Sequence, residues 1–126
     1  MLRIQCITID CENPAVPAEF WSKALDWPIT ISNDEEVVVE NPNGGADLLF
    51  LRNPDKRVVK NRIHLDLRPE DQEAEVKRLE ALGAKKIEIG QSADPRTSRV
   101  VMEDTEGNLF CVLRALNEND KVYELN

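Results

Sequence analysis

No stretch of the chain approaches the ~20 consecutive apolar residues that a membrane-spanning helix needs. The N-terminus, Met1-Leu2-Arg3-Ile4, runs straight into a strand pattern and lacks the apolar core of a signal peptide, so the expected location is the cytoplasm. Cysteine is scarce and odd in number, three in all, which excludes a complete disulfide framework. Cys6 and Cys111 fall inside apolar strand patterns, where a reduced, buried thiol is the usual state. Positive charge is outnumbered, 16 Lys and Arg against 24 Asp and Glu. The resulting net charge of −8 would repel nucleic-acid phosphates. It is compatible with a cationic small molecule, although solubility is its plainer explanation. There is no Gly-rich phosphate loop, no Ser-His-Asp order, no zinc-finger spacing and no low-complexity tract.

What is there fits one soluble domain, spanning 1–126. A length of 126 residues with 41% hydrophobic and 32% charged residues is enough for a core and too apolar for disorder. The chain also says much the same thing twice. Ile4-Gln5-Cys6-Ile7-Thr8-Ile9-Asp10 opens one half and Arg62-Ile63-His64-Leu65-Asp66-Leu67-Arg68 opens the other. The halves close on Glu40-Asn41-Pro42-Asn43-Gly44-Gly45 with a strand to Leu51-Arg52, and on Glu103-Asp104-Thr105-Glu106-Gly107 with a strand to Leu113-Arg114. Such a duplication implies two copies of one supersecondary unit about a pseudo-twofold axis, with equivalent side chains converging on a shared cleft.

Local patterns predict a strand at 3–10, then a helix. Asn13 is a good N-cap and Pro14 suits the first helical position. The helix runs to about Leu25, with Val16, Phe20, Ala24 and Trp27 on its apolar stripe, Trp21 and Leu25 widening it, and Pro28 ending it. Short strands are expected near 29–32, 36–40 and 47–52, separated by Asn- and Gly-rich turns. A polar hinge, Asn53-Pro54-Asp55-Lys56-Arg57, separates module 1 (about 1–53) from module 2 (about 58–116). The second copy reads as a strand at 62–68, a helix opened by Pro69-Glu70-Asp71 with Val76, Leu79 and Leu82 inward, and Gly83 as its C-terminal cap. Strands near 86–90, 99–103 and 109–114 follow. Ser92 to Ser98 reads as an exposed loop, and 117–126 as a mostly polar tail that Val122, Tyr123 and Leu125 could dock.

This order of elements resembles the vicinal oxygen chelate superfamily of glyoxalases, extradiol dioxygenases and bleomycin-resistance proteins, in its glyoxalase-like branch. The residues that carry the likeness are Ile9-Asp10-Cys11-Glu12-Asn13-Pro14, Phe20-Trp21-Ser22-Lys23-Ala24-Leu25-Asp26-Trp27, Lys60-Asn61-Arg62-Ile63-His64-Leu65-Asp66-Leu67 and Glu103-Asp104-Thr105-Glu106-Gly107-Asn108-Leu109-Phe110-Cys111-Val112-Leu113. The resemblance implies an α+β fold of two βαβββ modules forming an open, cupped mixed sheet (the glyoxalase/bleomycin resistance fold) with a small organic ligand in the cup. It also implies a homodimer.

In metal-using members four side chains, normally His, Gln or Glu, come from the first and last strands of each module. Carried onto this chain, those positions are Cys6, Leu49, His64 and Cys111, and the internal repeat aligns Cys6 with His64 and Leu49 with Cys111. Leu49 offers no donor. Cys6, His64 and Cys111 could hold a divalent metal such as zinc; the plainer reading makes the thiols small strand residues and His64, the single histidine, a hydrogen-bonded pocket residue. Classical glyoxalase isomerisation needs a basic carboxylate near the metal, and neither Leu49 nor Cys111 is one.

His64 and Asp66 share a strand face and could form an oriented general base. Their ideal separation of ~6.5–7 Å along a strand instead favours an ion pair of Asp66 with Arg62 or Arg68. Thr8, the repeat mate of Asp66, would offer the pocket a hydroxyl. Arg52 and Arg114 are repeat mates at strand ends, suited to an anionic ligand or to solvated charge pairs. Three function classes remain: a metal-independent small-molecule binder, an enzyme of lyase or isomerase type centred on His64, and a regulatory or interaction module with an empty cup.

Overall fold

The computed structural model describes residues 1–59, 61–88 and 99–118. The chain divides into two compact units, Met1–Val58 and Val59–Asn126. The division falls just beyond the proline-bearing hinge.

In the first unit β1 (Cys6–Cys11) leads into α1 (Ala15–Leu25), then β2 (Ile29–Ser32), β3 (Glu36–Val39) and β4 (Asp47–Arg52). The sheet order is β1-β4-β3-β2, with β1 parallel to β4 and the other neighbours antiparallel. β3 and β4 alternate half-buried with buried residues, so Val37, Val39, Leu48 and Phe50 share a covered face. The helix packs on β2, β3 and β4. Its opening follows the sequence: Pro14 has helical dihedrals and the Asn13 side chain accepts from the Ala15 amide at 3.3 Å.

Its facing does not. Val16 is 43% exposed, while Pro17, Ala18, Phe20 and Trp21 are buried. The stripe is centred about one residue later than the one running through Val16. The reason is that two prolines and Ala18, which carry weak apolar signals, pack closely and let Trp21 turn fully inward. Trp21 meets Phe20 edge to face at 5.2 Å between ring centroids.

The stop also differs in detail. Asp26 ends α1 in the left-handed conformation (φ 57°), two residues before Pro28. An aspartate there carries a Cβ penalty and places a negative charge at the helix C-terminus, both unfavourable. Asp26→Gly is therefore expected to stabilise the protein by about 0.5–1 kcal/mol in urea unfolding; a loss of stability would mean that the Asp26 side chain has a compensating role.

The second unit repeats the plan with β5 (Asp66–Leu67), α2 (Gln72–Ala81), β6 (Lys85–Lys86), β7 (Arg99–Glu103) and β8 (Leu109–Leu113), in the order β5-β8-β7-β6. Asp71 caps α2, its carboxylate accepting from the Ala74 amide at 3.0 Å. At the other end the Gly83 amide donates to the Glu80 carbonyl and the Ala84 amide to the Leu79 carbonyl, a Schellman stop that uses the positive φ (113°) of Gly83. The repeat is exact in register: Thr8 pairs with Leu49 across β1 and β4, as Asp66 pairs with Cys111 across β5 and β8.

Three strand expectations need correction. β1 begins at Cys6 rather than residue 3 and runs on to Cys11. β5 is two residues long, because only Asp66 and Leu67 find partners on β8, and Ile63 is 85% exposed. β6 begins at Lys85 and is also two residues, paired with Met102 and Glu103; Ile89 and Gly90 lie outside the described residues, as do the loop 92–98 and the tail from 119 onward.

Candidate functional site

The second unit brings three chemically active side chains together. Donor atoms of His64, Asp66 and Cys111 all lie within 4.8 Å of one another. Backbone pairing explains why. Asp66 and Cys111 are register partners, and the Cys111 amide donates to the Leu65 carbonyl at 2.9 Å. Asn61 Oδ1 accepts from the Leu109 amide at 2.8 Å, tying the approach to β5 against the start of β8. Strand alternation then sets Leu109, Cys111 and Leu113 on one face, with Val101 opposite Cys111 on β7.

His64 Nδ1 lies 2.9 Å from Asp66 Oδ1. This overturns the arginine pairing that ideal strand spacing favours. His64 precedes the paired part of β5, so its backbone is not held to the pleat and its ring can lean onto Asp66. Arg68 is engaged elsewhere, donating from Nη1 to the Arg114 carbonyl at 2.8 Å. A carboxylate can only accept, so Nδ1 carries a proton in this contact and Nε2 is the ring nitrogen left for another partner. His64 and Asp66 side chains are 26% and 40% exposed, whereas Cys111 is 4% exposed.

The profile of the Glyoxalase-like domain family matches residues 6–113. The chain belongs to this family. The glyoxalase-like architecture recurs in solved structures of low sequence identity. One is a glyoxalase/bleomycin resistance protein/dioxygenase family enzyme from Burkholderia phytofirmans (TM-score 0.71, 14% identity, 91% of this chain and 100% of that one covered). Another is the fosfomycin resistance protein FosX from Listeria monocytogenes (TM-score 0.69, 15% identity, 94% of each chain). A possible glyoxalase from Bacillus cereus is a third (TM-score 0.68, 14% identity, 90% and 99%). No curated protein matches the sequence significantly. At these identities the likeness carries the α+β glyoxalase/bleomycin resistance fold and no particular activity.

Superfamily resemblance puts metal ligands at Cys6, Leu49, His64 and Cys111, and the donor chemistry can be tested within the second unit. The second unit offers an ion three donors within 4.8 Å of one another: an imidazole nitrogen of His64, a carboxylate oxygen of Asp66 and Sγ of Cys111. Because Asp66 Oδ1 is engaged by His64 Nδ1, the carboxylate ligand would be Oδ2. Three protein ligands are the number a catalytic zinc keeps, so the donor set fits such an ion in number and kind. Cys6 belongs to the first unit, with its sulfur 3.6 Å from the Thr8 hydroxyl oxygen.

Thr8 is exposed on β1, opposite Leu49. Arg52 pairs in register with Cys11 and lies on the strand face shared with Phe50, opposite to that of Thr8 and Leu49. Its guanidinium is 3.9 Å from Glu35, both side chains largely exposed. Arg114, one residue past β8, donates from Nη1 to the Ala115 carbonyl at 2.9 Å. Sequence reasoning did not join Asp66 to Cys111, although the repeat held the signal. In a βαβββ unit whose first and last strands run parallel, Thr8–Leu49 and Asp66–Cys111 are side-by-side pairs.

Proposed function

We propose that this glyoxalase-like protein is a metal-independent binder of a small organic molecule, held against the His64–Asp66 pair. The observation that supports this most is the 2.9 Å contact between the two side chains, both partly open to solvent, which fixes a ring with Nε2 available. An oriented imidazole beside the apolar strand residues Leu109, Leu113 and Val101 suits a ligand with one polar acceptor or acidic proton on a small carbon skeleton. The same dyad supports a second reading, a lyase or isomerase in which His64 removes a proton next to a carbonyl. No helix among the described residues is long and apolar enough to cross a membrane. Three unbridged cysteines fit the cytoplasm, and a homodimer is the assembly we assign.

The test is a titration of the protein with a panel of small carbonyl acids, read by NMR. Shifts of the His64 ring signals are expected, and binding that leaves the ring untouched would move the site elsewhere. Metal content is an independent check. Elemental mass spectrometry of untagged protein is expected to find far less than about one zinc per chain. Stoichiometric zinc, lost in Cys111→Ser, would replace the metal-free reading.

A further inference from the structure

We infer that Cys111 is a nucleophile toward small α,β-unsaturated carbonyl compounds, with His64 taking its proton and Asp66 positioning the His64 ring. The inference rests on the His64–Asp66 pairing of the preceding section and adds a covalent step to it. Three groups of the right kinds lie within 4.8 Å of one another: a thiol, an imidazole and a carboxylate. A carboxylate-oriented histidine beside a thiol is the general arrangement that activates cysteine nucleophiles. Asp66 secures Nδ1–H at 2.9 Å, which leaves Nε2 as the basic nitrogen of a ring whose nearer donor atom lies within 4.8 Å of the Cys111 sulfur.

The other cysteines lack this surrounding. Cys11 is buried with its thiol directed to the Leu51 carbonyl at 3.6 Å, and Cys6 sits 3.6 Å from a neutral hydroxyl. Nothing in the binding or proton-transfer reading uses Cys111. Its neighbours by strand register, Val101 and the flanking Leu109 and Leu113, are apolar, which suits a soft, uncharged electrophile.

The step balances without a further reactant. The sulfur lone pair forms an S–C bond to the β-carbon as His64 Nε2 accepts the thiol proton. The C=C electron pair moves toward the carbonyl to give an enolate. The protonated ring then returns the proton to the α-carbon. One S–C and one C–H bond form, one S–H and the C=C π bond are lost, and nothing leaves. His64 acts as base and then acid; Asp66 is a positioning residue.

Acrylamide, small and neutral, is the probe. Folded wild-type protein is treated under native conditions and each cysteine's adduct is followed by peptide mass spectrometry. Exposure alone ranks half-buried Cys6 above Cys111, which is 4% exposed, and Cys11 last. The inference requires Cys111 to react first. His64→Ala and the closer-sized His64→Gln should each slow Cys111 by at least about tenfold without slowing Cys6. Asp66→Asn should slow it too, with Asp66→Glu recovering part of the rate, a rescue that a purely structural role would not give.

Labelling of Cys111 only after unfolding in urea, or a Cys111 rate indifferent to both His64 variants, overturns the inference. If the carbonyl acids shift the His64 ring while native Cys111 stays unlabelled, the nucleophile is wrong and the binding site stands. Rapid His64-dependent labelling with no ligand-induced ring shift supports the nucleophile and removes the binder.

Discussion

Trp21→Ala is expected to cost about 3–5 kcal/mol, the range for truncating a fully buried large aromatic side chain. Trp21 is 2% exposed, stands edge-on to Phe20 and lies on a helix that covers β2, β3 and β4. Alanine would remove the largest fully buried side chain of the first unit and leave a cavity that rigid strands cannot close. Against a typical total stability of about 5–15 kcal/mol, such a loss leaves a marginal protein. Val16→Ala is the matched control. Val16 is 43% exposed, so its truncation should change stability by no more than about 0.5 kcal/mol. Urea denaturation of both variants is the measurement. Equal losses, or a larger loss at Val16, would mean that α1 faces the sheet with the stripe its sequence periodicity suggests.

His64→Ala is expected to remove ligand binding at the candidate site and, if the protein proves catalytic, to lower turnover by about 10²–10⁴, the usual contribution of a positioned acid or base. Folding should survive. The ring is 26% exposed, and His64 precedes the paired residues of β5, so the variant loses one side-chain hydrogen bond at the surface. Such a bond contributes about 0.5–1.5 kcal/mol. Asp66→Asn should act in the same direction more weakly, because an amide can still meet the ring but does not select the tautomer as a carboxylate does. Ligand affinity by calorimetry, with a thermal melt of each variant, separates the two effects. Undiminished affinity in a folded His64→Ala protein would remove this residue from the site.

How much of this was readable beforehand differs from element to element. β2, β4 and β7 match the sequence expectation at both ends, as their β-branched and apolar runs are bounded by Asn, Asp and Gly turns. The C-terminal cap of α2 is equally legible, a glycine with positive φ, whereas the helix opens later than the Pro69-Glu70-Asp71 run suggests: it begins at Gln72, and Asp71 is extended and caps it from outside. The failures share a cause. The 62–68 run has strand composition, but a strand exists only where a partner supplies hydrogen bonds, and β8 does so for two of its residues. The facing of α1 departs from its hydropathy pattern for a related reason: hydropathy counts Val16 and overlooks Pro17 and Ala18, although close packing against a sheet rewards small size as well as apolarity.

Sequence alone determined the duplication, the order of the elements and the family, because turn residues, apolar periodicity and a repeated β–α–β–β–β pattern are local properties that survive without knowledge of neighbours. It also singled out His64 and Cys111. Only the tertiary structure decided that His64 bonds to Asp66 and that both lie beside the Cys111 sulfur. That outcome depends on where the β5–β8 ladder begins: ahead of it the backbone leaves the ideal pleat, and a side-chain separation that strand geometry sets at ~7 Å closes to hydrogen-bond length.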